Sequence, residues 1–166
     1  MILGMDPGTT HSAIICLEQG KIEYATRVTN EEMLDLLRAL LGPPSGDDML
    51  AMLAIEMIAS YGMPVGREVF ETVLWVGRFM QVATDCDARV HLVYRQEVKL
   101  HLYGSVRAND ANIRQALIDR LGPPGTKKKP GATYGITGDL WSALAVAVTF
   151  AATRLTVTDI LPTTGV

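Results

Sequence analysis

The sequence contains no stretch of about 20 uninterrupted apolar residues, the length a membrane-spanning helix needs, so no membrane partner is expected. The first residues, Met-Ile-Leu-Gly-Met-Asp-Pro-Gly, lack a basic flank and a small-residue cleavage site; they read as a strand and not as a secretory signal. Cysteine is scarce. Cys16 and Cys86 stand far apart, which argues against a disulfide framework and fits reduced thiols of a cytoplasmic protein. His11, His91 and His101 share no metal-ligand spacing, and no Cys or His cluster competes as a zinc site. No internal repeat occurs, and Lys127-Lys128-Lys129 is the one low-complexity run. What is present is 166 residues with a 48% hydrophobic fraction, enough for one domain with a real core.

The formal net charge of −3 argues weakly against a nucleic-acid partner. Its distribution argues the other way. Residues 89–130 hold nine Lys or Arg against three Asp or Glu, a local charge of +6. A phosphate backbone responds to that local field and not to the total. An ordinary solvated surface is the alternative.

Periodicity predicts strands over residues 1–5, 12–17 and 22–28, joined by turns at Asp6-Pro7-Gly8-Thr9 and Gln19-Gly20. A helix over 31–41, capped by Asn30, stops at Gly42-Pro43-Pro44-Ser45-Gly46. A strand over 49–57, a long amphipathic helix over 65–83 and a strand over 90–94 follow. Helices are expected over 95–103 and 109–121, then a Gly/Pro/Lys-rich loop over 122–138 and an apolar helix opened by Asp139. The expected domain spans 1–154, with a Thr-rich tail over 155–166. This order gives a mixed α/β domain with a central sheet and helices on its faces.

Three carboxylates stand where a fold alone would not choose them. Asp6 ends an apolar strand; its alternative reading is an Asx-turn residue. Glu56 follows the run 49–55, which looks buried on both faces, and an unpaired buried carboxylate is costly or neutralises itself. A strand end already in solvent is the alternative. Asp139 opens a helix apolar almost all round, where it could serve only as an N-cap. Together they suggest one site, since clustered carboxylates repel unless a divalent cation compensates them. Oxygen ligands suit Mg²⁺ or Mn²⁺, and two such ions would serve phosphodiester hydrolysis.

These residues also carry a resemblance. Ile2-Leu3-Gly4-Met5-Asp6-Pro7-Gly8-Thr9-Thr10 resembles the opening of RuvC-type Holliday junction resolvases. Leu53-Ala54-Ile55-Glu56 resembles their second acidic motif, Arg95-Gln96-Glu97-Val98-Lys99 their basic segment, and Asp139 to Ala147 their C-terminal helix. The four come in family order over almost the whole chain. Residues 63–70 and 75–79 look more like phage-encoded members. The resemblance implies an RNase H-like fold with a mixed five-stranded sheet flanked by helices. It also implies a homodimer, branched DNA as partner, paired nicks across a four-way junction, and a bacterial or phage-infected cytoplasm. It matches Asp6, Glu56 and Asp139 to metal-binding carboxylates: Asp6 between two ions, Glu56 and Asp139 completing one site each. Lys99 matches a lysine that steadies the phosphate or the water, though without the family match it reads as a solvated helix lysine. Two positions depart from the pattern. Ser142 stands where a second helix acid is usual, and Asp110 where a second basic residue is usual, with Arg107 three residues earlier.

Further DNA contacts are expected at Tyr61, Arg67, Arg95, Lys99, Arg107, Lys127, Lys128 and Lys129; for the lysine run a solvated loop is the alternative. Most of the helix over 65–83 is expected in the core, with an apolar surplus for a dimer interface, and Trp141 is expected packed and not stacked on a base. Three rival functions bear on these motifs. Asp-x-Gly-Thr-Thr also opens sugar kinases and chaperone ATPases, but those need two lobes and a second phosphate loop, which this sequence lacks. A non-catalytic DNA-binding homologue would fit the missing fourth acid but not the intact three. A broader branched-DNA or flap nuclease would use the same residues.

Overall fold

The computed structural model describes residues 1–42 and 51–154. The Pro-Pro stop after Gly42, the first residues of the 49–57 run and the Thr-rich tail lie outside the described residues. Three strands open the chain: β1 (Ile2–Asp6), β2 (His11–Glu18) and β3 (Lys21–Thr29). They pair antiparallel in sequence, as consecutive hairpins. The second hairpin turns at Gln19 and Gly20, both with positive φ, the backbone a tight right-twisted hairpin needs.

Helix α1 (Asn30–Leu41) follows. Its cap is Thr29 and not the expected Asn30: the Thr29 side chain accepts from the Glu32 amide while Glu32 reaches back to the Thr29 amide. Asn30 is instead the first helical residue, fully buried and engaged elsewhere. Strand β4 (Met52–Met57) then pairs parallel to β1, and β5 (Arg89–Tyr94) parallel to β4. The sheet order is β3-β2-β1-β4-β5, with β1 at its centre. Helix α2 (Arg67–Asp85) crosses between β4 and β5, starting two residues later than its periodicity suggests. Helices α3 (Arg95–Tyr103) and α4 (Asp110–Leu121) follow. The expected loop over 122–138 contains a small hairpin, β6 (Gly125–Thr126) with β7 (Lys129–Pro130). Helix α5 (Leu140–Thr153) ends the described chain.

Alternation along the strands sorts the core into two layers. Leu3, Met5, Ile14, Cys16, Leu53 and Ile55 face α1 and α2. Ile2, Ala13, Ile15, Leu17, Met52 and Ala54 face α5. Helix α5 is buried from Ala143 to Phe150 because the sheet covers one side of it and α3 and α4 stand on another. Both cysteines are free thiols. No helix among the described residues is long and apolar enough to cross a membrane.

Candidate active site

Strand register brings four side chains onto one face of the sheet. Asp6 pairs with Ala13, and Ala13 pairs with Arg27, so all three point to the same side. Met5 pairs with Ile55, which sets Glu56 level with Asp6 on the neighbouring parallel strand. The side they share is the α5 side, because Ala13 and Ala54 belong to the layer that packs on α5.

Helix α5 reaches this row through a close approach to β1. A Cβ on Gly4 would stand 2.4 Å from the Ala143 carbonyl oxygen and 2.6 Å from the Ala147 Cβ. Glycine on the strand and alanines on the helix therefore let the two backbones nearly touch, and the first turn of α5 arrives over Asp6. Asp139 precedes that turn. It occupies the cap position but makes no side-chain cap bond, so the plain N-cap reading fails. Its carboxylate instead accepts from Arg27 Nε at 2.7 Å.

The loop after Asp6 is fixed from the opposite direction. The Ser12 hydroxyl donates to Asn30 Oδ1 at 2.7 Å and accepts from the Gly8 amide at 3.3 Å. Asn30 Nδ2 donates to the Gly8 carbonyl at 3.0 Å, and the Asn30 amide to the Thr10 carbonyl at 2.9 Å. A buried network that satisfies each partner holds one conformation. Asp6 thus leaves its strand into a rigid loop and not a loose Asx-turn.

The electrostatics of the site are those of crowded acids. Burial pushes the Asp6 carboxyl up to about 7, with repulsion from Glu56 and Asp139 adding to it; Arg95 and a hydrogen bond from Ser142 pull the other way. Glu56 is also raised, chiefly by burial; Arg95 opposes this, Asp110 adds to it, and a hydrogen bond with Asp6 and the charge of Lys99 oppose it. Arg95, at the junction of β5 and α3, contacts Glu56 at 3.5 Å, Ser142 at 3.5 Å and Asp110. Two arginines thus flank the acids, Arg27 beside Asp139 and Arg95 beside Glu56.

The donor set comprises three carboxylates and the Ser142 hydroxyl, all hard oxygens, which suits Mg²⁺ or Mn²⁺ and not a thiol- or imidazole-seeking metal. An acid that burial, and after it two neighbouring acids, push towards neutrality is the chemistry a divalent cation reverses. Asp6, Glu56, Asp139 and Ser142 therefore fit such an ion in kind. Among the described residues, no three acids, histidines or cysteines stand close enough to share one; Asp139 is drawn to Arg27.

The remaining sequence candidates divide. Lys99, on α3, lies near enough to Glu56 for its charge to lower that carboxyl. Arg95 lies within the acid cluster. Tyr61 is exposed, with φ 47°, in the turn between β4 and α2. Arg67 is exposed and paired with Glu71. Arg107 is exposed after α3, and Lys127, Lys128 and Lys129 are exposed on the β6–β7 hairpin; none of the four makes an ion pair among the described residues. Reasoning from sequence missed Arg27 and Arg114, and noted Asp110 only as a departure from the family pattern and not as a partner of Arg95. The hairpin register could have shown Arg27, since it is three strands wide; Asp110 and Arg114 depend on where α4 docks.

No family model matches the sequence, and a sequence search of curated proteins finds no match. Solved structures do match. Thermus thermophilus RuvC superposes with a TM-score of 0.62 at 19% identity, over 90% of this chain and 92% of that one. T. thermophilus RuvC in complex with Holliday junction substrate gives 0.64 at 17% identity, over the same shares. At these identities the likeness speaks for the fold. The domain has the RNase H-like architecture, a mixed five-stranded sheet flanked by helices.

Proposed function

We propose that this chain is a divalent-metal-dependent endodeoxyribonuclease that resolves four-way DNA junctions as a homodimer. The observation that carries the reading is that Glu56 and Asp139 come near enough to Asp6, beside the start of α5, to raise its carboxyl, with Ser142 acting on Asp6 and Lys99 on Glu56. Acids crowded in this way have little structural use. A shared architecture with a protein solved on a Holliday junction supports the choice of substrate.

In this reading Asp6, Glu56 and Asp139 hold Mg²⁺ or Mn²⁺, with two ions in the full site. The ions would supply an activated water and stabilisation of the leaving oxygen. Asp6, raised to about 7, must give up its proton for the site to load. Arg95 contacts Glu56 at 3.5 Å, and Ser142 lies near enough to Asp6 to favour its charged form. Lys99 carries positive charge next to Glu56, where it would meet a phosphate oxygen. Arg67, Arg107 and Lys127 to Lys129 add exposed cations for the flanking backbone, and Tyr61 a ring for the same surface.

Pairing is assigned to α2. Its outer side shows Phe70 and Leu74, with Met63 and Val65 just before it, all exposed. A second copy of this chain would cover that apolar face, and a two-fold dimer presents two active sites to two strands.

The test is cleavage of a mobile four-way junction and of a linear duplex of the same sequence, with Mg²⁺. The reading expects paired nicks in the junction and little cutting of the duplex. Equal cutting of both would make this a general nuclease, and no cutting of either would leave a binding protein.

A further inference from the structure

A cleft of about 500 Å³ opens beside the acids, bounded by Arg95, Asp110, Arg114, Asp139, Trp141 and Ser142. That volume lies within the range of sites for small organic molecules, about 300–1,000 Å³. Two arginines reach it, in different states. The Arg95 guanidinium is taken up by Glu56, Asp110 and Ser142. Arg114, on α4, has no ion pair or hydrogen bond among the described residues and is exposed. Its guanidinium carbon instead lies 5.0 Å from the centre of the Trp141 ring.

We propose that this cleft holds one nucleotide of the DNA strand next to the phosphodiester being cut, with Arg114 on its backbone phosphate and Trp141 as its apolar wall. The inference rests on the nuclease reading of the acid site. Trp141 is partly buried and packs against the α5 core layer, which restricts it. An arginine resting on an indole keeps its in-plane N–H groups free, and these are the groups that match a phosphate. The stacking also orders a long side chain before the ligand arrives, which lowers the cost of binding. The cleft needs such a cation. Asp139 and Asp110 line it, and without Arg114 a phosphate there would meet carboxylates and an arginine already engaged. A flat apolar ring beside one unengaged phosphate-binding group, at the edge of a hydrolytic site, recognises a nucleotide and not a free anion.

The test uses the full chain, a fluorescein-labelled four-way junction and EDTA, so that binding is read without cleavage. Arg114→Gln is expected to weaken junction binding roughly tenfold and to lower the slope of log affinity against log salt by about 1. Arg114→Lys should keep most of the slope, since it keeps the charge. An arginine that served only to pack against Trp141 would leave that slope unmoved on substitution. A second readout avoids any change at Arg114. The chain has two tryptophans, so Trp75→Phe leaves Trp141 as the sole indole. Its emission should then fall along the same isotherm as junction binding. Unchanged affinity and slope in Arg114→Gln, with unchanged Trp141 emission while the junction binds, would overturn the subsite and leave the nuclease reading intact. Failure of the unsubstituted chain to bind the junction would overturn both.

Discussion

Arg27 Nε donates to Asp139 Oδ2 at 2.7 Å across 112 residues of sequence, tying the edge strand β3 to the start of α5. Both side chains are about half exposed, so the pair is worth no more than about 1 kcal/mol. That is weak enough for a divalent cation to displace, and Asp139 must give it up to serve as a ligand. Arg27→Gln should therefore tighten Mg²⁺ binding, by up to about fivefold for an interaction of that size. Isothermal titration without DNA measures it. Weaker Mg²⁺ binding would instead make Arg27 a support of the site.

The contact between Gly4 and α5 has a sharper consequence. Gly4→Ala would set a Cβ against the Ala143 carbonyl, which is backbone and cannot rotate away. Helix α5 would have to move, carrying Asp139 and Ser142 with it. A loss of about 1–3 kcal/mol in denaturant unfolding is expected, as for other overpacked cores, together with weaker Mg²⁺ binding. Unchanged stability would mean that the close approach does not set the position of α5.

The raised carboxyl of Asp6 predicts an unusual pH profile for the metal-free protein. A carboxyl with a folded pKa of about 7 and an unfolded value of about 3.9 holds its proton more tightly when folded. Its contribution is present below about pH 4 and is lost as pH rises through about 7. The difference of about 3, at about 1.4 kcal/mol each, caps the loss at roughly 4 kcal/mol. Glu56 has the same sign. Thermal melts in EDTA should fall by several degrees between pH 5 and pH 8, and Mg²⁺ should restore most of this at pH 8 and little at pH 5. Asp6→Asn should make the fall shallower, leaving the part that Glu56 contributes. A melt in EDTA that rises over the same interval would contradict the electrostatics of the site.

The outer face of α2 predicts the assembly. Leu74 is 67% exposed and Phe70 65%, one helical turn apart, and neither supports its own fold. Leu74→Glu should leave the melting temperature of the subunit within a few degrees and convert a dimer to a monomer in sedimentation. A wild-type chain that sediments as a monomer would remove α2 as the interface.

Much of this was legible in the residues alone, and the reasons are physical. Asp6 and Glu56 end apolar strands and Asp139 opens an apolar helix, which is what marked them; the structure buries most of the first two and leaves Asp139 about half exposed. The β1–β2–β3 hairpins followed from alternation and turn residues. The cap of α1 did not, because Thr29 and Asn30 are both good caps and only Asn30 has buried partners, at Ser12 and Gly8. The β6–β7 hairpin is two residues per strand, too short to leave a pattern. As site residues, Arg27, Asp110 and Arg114 were hidden for another reason. Their neighbours lie on other elements, and sheet register and helix docking, not spacing, bring them to the acids.

Asp6 lies at the centre of the proposed site. Wild type and Asp6→Asn should be compared on a mobile four-way junction with Mg²⁺, each checked by its melt. Asparagine keeps the shape but cannot carry the charge. Junction cleavage should fall at least about 100-fold, since even outer partners of a metal site cost 10–100-fold when lost, while junction binding in EDTA persists. Undiminished cleavage by Asp6→Asn would contradict the assignment of this site.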